Sequence, residues 1–261
     1  MTRAYTLQER LLTVDNLNLQ YGDKIILRDV NIAIDNIVRE GMHQGQTIAL
    51  LGPSGIGKTQ LFRCIAGLQR PTSGMVRVKE EKHPVTSGEV GVVQQSYPLL
   101  QHRTIMGNLK LVCKDEAQIM GYLTRFGLAD HAKRYPVQLS GGQRQRIAII
   151  QQMIGARHFL LMDEPFSGLD IIAKDTVIKL INEVSIIDEH NTTICTTHDL
   201  ESAVQIADTI WIMGREAGKP GATIVKTMDL IERGLAWNPD AANHPNFHST
   251  VDELKAIFKT L

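Results

Sequence analysis

The stretch Thr47-Ile48-Ala49-Leu50-Leu51-Gly52-Pro53-Ser54-Gly55-Ile56-Gly57-Lys58-Thr59 decides the fold. Its first five residues are nearly all apolar, as in a strand buried on both faces. The next eight fit G-x-x-x-x-G-K-[ST], and a helix pattern follows from about Lys58 to Leu68. Strand, glycine turn and helix in that order make an anion cradle. Glycines let backbone N–H groups converge on phosphate oxygens, and the helix N-terminus adds partial positive charge. Lys58 is placed to neutralise the β and γ phosphates, and the Thr59 hydroxyl to ligate Mg²⁺.

A second site follows from Phe159-Leu160-Leu161-Met162-Asp163-Glu164. Four apolar residues bury this strand, and two acids emerge at its C-terminal end, where α/β proteins bind ligands. Asp163 is expected to hold Mg²⁺ through water, and Glu164 to orient or deprotonate an attacking water. Two adjacent acids after a strand are on their own a common solvated turn. Their pairing with the phosphate loop is what makes them a hydrolytic site.

Outward from these two strands, residues 11–34 alternate in polarity around Tyr21-Gly22-Asp23, which reads as an antiparallel strand pair. Further strands are expected at 90–93, 192–196 and 210–213, and helices at 117–126, 140–154, 174–187 and 200–206. Such alternation implies a mostly parallel sheet wound on both sides. Residues 214–222 read as a hairpin connection. The segment 234–250, rich in Asn, His and Pro, reads as a surface linker before an amphipathic helix over 251–261.

Composition narrows the function classes. The 261 residues include 28 Lys plus Arg and 28 Asp plus Glu, a balance that gives no support to a nucleic-acid binder. No apolar run reaches the roughly 18 residues that cross a bilayer, and the first residues lack a continuous apolar core, so a cytoplasmic location is expected. Cys64, Cys113 and Cys195 are far apart and read as free buried thiols.

The run Leu139-Ser140-Gly141-Gly142-Gln143-Arg144-Gln145-Arg146 resembles the signature of ATP-binding cassette ATPases. With Asp163-Glu164-Pro165-Phe166-Ser167-Gly168-Leu169-Asp170 and Thr196-Thr197-His198-Asp199, the diagnostic elements stand in family order. The resemblance implies an α/β P-loop NTPase fold with an antiparallel N-terminal β subdomain and a helical signature subdomain at about 96–155. It places the cassette over 1–230, with 231–261 a C-terminal linker and helix. It implies that Ser140, Gly141, Gly142 and Gln143 face the γ-phosphate bound by a second copy, so that two chains sandwich two ATP molecules head to tail. Tyr21 resembles the residue that stacks on adenine, and Asp170 the acid that acts across the pair. Gln95 resembles the glutamine that reaches Mg²⁺ and the membrane partner, with Gln94 the alternative register. His198 resembles the histidine that contacts γ-phosphate and holds Glu164. Departures are a longer 35–44 stretch, Ile150-Gln151-Gln152 where Ala-Arg-Ala is common, and Gln60 where a second hydroxyl residue is frequent.

The implied partners are a second cassette and a separate membrane permease docking beside 96–138, with the chain peripheral on the cytoplasmic face of the cell membrane. Tyr97, Pro98, Leu99 and Leu100 are expected to be exposed there. Tyr135-Pro136-Val137-Gln138 and Lys219-Pro220-Gly221 look most similar to importers of the nitrate, sulfonate and taurine type. Two alternatives are a cassette ATPase of lipid or lipoprotein export and a soluble mechanical ATPase on DNA or ribosomes. The latter favours coiled-coil insertions, tandem cassettes or basic tracts, none of which the sequence shows.

Overall fold

A computed structural model describes residues 5–39, 41, 44–79, 83–93, 99–155, 158–238 and 240–261. Its centre is β3 (Gln46–Leu51), buried at every residue. Ile48 and Leu50 face one apolar core, with Ala49 and Leu51 facing another. A strand with apolar layers on both sides cannot tolerate polar alternation, which is why its sequence reads as a continuous apolar run.

The main sheet orders β5 (Gly91–Val93), β6 (Phe159–Asp163), β7 (Thr192–Thr197), β3, β8 (Thr209–Gly214) and β9 (Thr223–Asp229). All its pairs are parallel except β8 with β9. A second sheet of three antiparallel strands sets β1 (Thr6–Tyr21) between β2 (Lys24–Val38) and β4 (Ser73–Val78). Its apolar face (Leu12, Val14, Leu17, Val30, Ile32) closes a core with α1 (Lys58–Ile65) and one side of the main sheet. On the other side pack α2 (Ile105–Leu109), α3 (Glu116–Arg125), α4 (Gly141–Gly155), α5 (Ile171–Ser185), α6 (Leu200–Ile206) and α7 (Pro245–Phe258).

The β1–β2 hairpin runs well beyond the expected 11–34. Part of the long 35–44 stretch is the end of β2, where Asp35 pairs with Arg10 and Ile37 faces Leu7. Helix α5 begins three residues before the expected Lys174, because Asp170 caps it by accepting from the Ala173 N–H at 2.8 Å. Exposed Ile171 and Ile172 hide that start from a periodicity reading.

The composition of 234–250 suggests a surface linker, yet the segment is tied down. Leu235, Ala236, Ala241 and Phe247 are buried in the main core, and Trp237 donates to the Gly45 carbonyl at 3.2 Å. Helix α7 starts at Pro245, a residue suited to the first helical position, rather than at Val251.

Leu99 corrects an expectation as well. It is 5% exposed and lies in the main core, whereas Leu100 is 40% exposed. Asn108 explains the division: it accepts from the Leu100 N–H at 2.7 Å and donates to the Leu100 carbonyl at 3.1 Å, fixing the backbone so that adjacent side chains point opposite ways. Tyr97 and Pro98 lie outside the described residues. Among the described residues, no helix is long and apolar enough to cross a membrane.

Candidate active site

Parallel register brings the sequence-predicted groups to one edge of the main sheet. Leu51 pairs with Thr197 and Asp163 with Thr196, so the turns leaving β3, β6 and β7 lie side by side at their C-terminal ends. Gly52, Pro53, Ser54, Gly55, Ile56 and Gly57 form the turn after β3, and Lys58 and Thr59 open α1. Gly57 caps that helix at φ 118°, where a side chain is strained. At Gly52 a Cβ would come within 2.8 Å of the Met213 carbonyl oxygen, so the loop sits tightly on β8.

Lys58 is buried, and its ammonium donates to the carbonyls of Gly52 at 2.7 Å and Pro53 at 3.3 Å. It lies 3.9 Å from Glu164 Oε1. Burial lowers its pKa, opposed by the charges of Glu164 and Asp163. The two loop bonds leave one of three ammonium protons for a phosphate oxygen. Thr59, beside it, is exposed.

The two acids are held by a residue that the sequence reading passed over. Thr196 Oγ1 donates to Asp163 Oδ1 at 2.6 Å and accepts from the Glu164 N–H at 3.1 Å. That N–H also reaches the Thr196 carbonyl at 3.0 Å. Glu164 sits at φ 49°, a conformation unfavourable for a residue with a side chain, and these bonds fix it there. The available signal was a threonine near the end of a buried strand that neighbours an acid-ended one. Its hydroxyl has a role only once the register is known.

His198 follows β7 and places Nδ1 2.8 Å from Glu164 Oε2. Because a carboxylate only accepts, Nδ1 carries the proton, and Nε2 is left to bond elsewhere. Asp199 next to it caps α6 through the Ser202 N–H and pairs with Lys174 of α5, anchoring the turn. At the outer rim, Tyr21 is half-exposed at the end of β1 and donates to Gln60 Oε1 at 3.0 Å. Gln60, which departs from the common hydroxyl, thus reaches the aromatic residue.

Ser140 stands at the start of α4. Its N–H donates to Gln143 Oε1 at 2.9 Å, and its Oγ accepts from the Gln143 N–H at 3.3 Å. This reciprocal cap leaves the hydroxyl proton of Ser140 and the N–H groups of Gly141 and Gly142 available to an anion. A Cβ at Gly141 or Gly142 would meet nothing within 4 Å, so this turn faces open space. Asp170 is exposed at the head of α5. No contact links Ser140 or Asp170 to the Lys58 group among the described residues, and Gln94 and Gln95 lie outside them.

The residues present suit a magnesium nucleotide. Asp163 keeps an oxygen that Thr196 does not occupy, and Thr59 offers an exposed hydroxyl on α1, a helix that packs against the strand ending in Asp163, matching the few protein ligands that Mg²⁺ uses beside phosphate oxygens and water.

This sheet, loop and pair of acids define the fold of a P-loop nucleoside triphosphatase. A profile of the ABC transporter family matches residues 36–167, half of the chain, and the chain belongs to that family. It is 36% identical over 219 residues, 78% of its length, to the sulfate/thiosulfate import ATP-binding protein CysA of Pectobacterium atrosepticum, covering 64% of that protein. Against the protein of the same name from Gloeobacter violaceus, identity is 35% over 219 residues, 78% of this chain and 60% of the relative. The chain therefore spans less than two thirds of these curated relatives. They are sulfate/thiosulfate import proteins, where the residues above pointed to nitrate, sulfonate and taurine importers; import is common to both.

Among solved structures, cbiO1 from Clostridium perfringens, part of the ABC transporter complex cbiONQ, matches with a TM-score of 0.72 at 23% identity, over 97% of this chain and 99% of that one. An ATP-binding subunit of an ABC transporter matches with a TM-score of 0.68 at 20% identity, over 95% and 99%. At these identities the likeness concerns the fold.

Proposed function

We propose that this chain is the ATP-hydrolysing subunit of an importer. It pairs with a second copy around two ATP molecules and drives a separate membrane permease from the cytoplasmic face. The observation that carries this reading is the grouping of Lys58, Asp163, Glu164 and His198 at one sheet edge, with Ser140 presented separately on an open turn.

The chemistry follows from that grouping. Lys58 and the loop N–H groups bind the phosphates, and Tyr21 supplies a face for the adenine. Thr59 and Asp163 would hold Mg²⁺, with Gln95 as a further ligand; the ion, when bound, offsets phosphate charge. Glu164 accepts a proton from a water whose oxygen bonds to the γ-phosphorus as the bond to the β-phosphate oxygen breaks. His198 holds Glu164 through its Nδ1–H, and Nε2 donates to the γ-phosphate when the ring carries a proton there as well. Ser140, Gly141 and Gly142 of the second copy, with Asp170, complete the enclosure and exclude water. A small solute is the cargo, and sulfate or thiosulfate, named for the relatives, is the first to try.

Glu164→Gln tests this reading. It should keep nucleotide affinity and abolish hydrolysis in a single-turnover assay. Near-normal turnover would exclude Glu164 as the base.

A further inference from the structure

His131 has no part in the chemistry above, yet it touches the signature turn. The Ser140 N–H can only donate, so the Gln143 atom 2.9 Å from it is Oε1. The other end of that amide, Nε2, therefore faces His131 Nε2, at 2.8 Å. An amide nitrogen also only donates, so His131 Nε2 accepts, and the imidazole is neutral with its proton on Nδ1. That Nδ1 is buried and has no hydrogen-bond partner among the described residues. A buried orphan donor destabilises the fold, and a leucine or phenylalanine at 131 would avoid it. What only the imidazole supplies is the Nε2 acceptor.

We infer that His131 is a positioning residue for the nucleotide site of the second copy. By fixing the Gln143 amide it holds the Ser140 backbone and leaves the Ser140 hydroxyl proton directed at phosphate. The relay crosses three elements in one line: the single turn containing His131, Gln143 in the first turn of α4, and Ser140 before it. Arg144 adds a brace by donating to the Leu139 carbonyl at 2.7 Å, so the segment entering α4 is held from both sides. The inference rests on the proposed head-to-tail pair, in which Ser140 meets a phosphate that its own Lys58 does not bind.

Two substitutions test it in the full chain. His131→Leu removes the acceptor and keeps an apolar volume, whereas His131→Gln restores an acceptor at similar reach. Turnover in the chain with Glu164 intact, and ATP-driven pairing in the Glu164→Gln background, should each fall about tenfold in His131→Leu, the effect of one lost hydrogen bond. Affinity of the separate chain for a fluorescent ATP analogue should stay within about twofold, since the Lys58 group is untouched. His131→Gln should recover most of the loss, which a purely space-filling role does not predict. His131→Phe replaces the leucine variant should thermal melting show that the latter is unfolded. Turnover and pairing unchanged in the acceptor-free variant, or a glutamine variant no better than it, would overturn the inference. Failure of Glu164→Gln itself to pair in Mg-ATP would overturn the head-to-tail reading and this inference together, while pairing retained in His131→Leu removes this inference alone.

Discussion

The Lys58 side of the molecule and the Ser140 side are built by different means. At the first, three neighbouring parallel strands end at one edge, and their side chains lock one another: Thr196 to Asp163 and Glu164, His198 to Glu164, and Lys58 to its own loop. At the second, one helix start is held by a reciprocal cap and one histidine, and it faces open space. In the proposed function the sheet edge is a half-site that binds nucleotide alone, and the helix start is an anion surface without a nucleotide of its own. On that proposal the two meet across two chains, and each half should fail in its own way.

Lys58→Ala should show the largest effect. It removes a buried charge whose one spare donor is proposed to bind phosphate, and ATP affinity should fall at least about a hundredfold in a nucleotide titration. Ser140→Ala should leave that affinity within about twofold and lower turnover instead. Loss of affinity in both variants would abolish the contrast between the halves.

Thr196→Val is the next sharpest probe of the rigid half. The residue is nearly isosteric, but Asp163 loses a donor and Glu164 an acceptor while the strained backbone at 164 remains. Turnover should fall about tenfold or more, with stability lower by about 1–3 kcal/mol in urea unfolding. Unchanged turnover would show that the Thr196 hydroxyl is not needed to hold Asp163 and Glu164.

The segment at Leu99 and Leu100, expected to face a permease, offers a control for both halves. Leu99→Asp places a charge in the core and should destabilise by about 3–5 kcal/mol, whereas Leu100→Asp should stay within about 0.5 kcal/mol. Leu100→Asp should also retain basal hydrolysis yet lose capture of the permease in a pull-down. Normal capture and transport would place the docking surface elsewhere.

The smallest effect concerns pH. Burial alone would raise the Asp199 carboxyl, but hydrogen bonds from Lys174 and the Ser202 N–H hold it below its ordinary value. The unfolded carboxyl titrates near 3.9, so this stabilisation is present above about pH 4 and is lost as pH falls through the lower folded value. Lys174→Met should lower stability at pH 7 by about 1 kcal/mol, with the difference shrinking in acid melts. A constant difference down to pH 2 would sever Asp199 from acid stability.

The phosphate loop, the paired acids and the buried strands were legible in the sequence because each is a local pattern: an apolar run, a glycine turn, an acid at a strand end. Ser140 and His198 needed the order of motifs along the whole chain. Thr196, Gln60 and His131 were out of reach, since each acts through a partner brought near by register or packing, at separations of 33, 39 and 12 residues. The buried state of 234–250 escaped for a related reason. Its Asn, His and Pro residues describe the exposed side of a segment whose Leu235, Ala241 and Phe247 face the core.

The claim that the two halves complete each other is tested most directly by sedimentation of the Glu164→Gln chain with Mg-ATP over a range of concentrations. The expected species has twice the 29.1 kDa chain mass, forms only with the triphosphate, and disappears when Ser140→Arg is added to the same chain. A Glu164→Gln chain that binds ATP yet stays at 29.1 kDa at every concentration, or one that pairs equally well with Ser140→Arg, would contradict it.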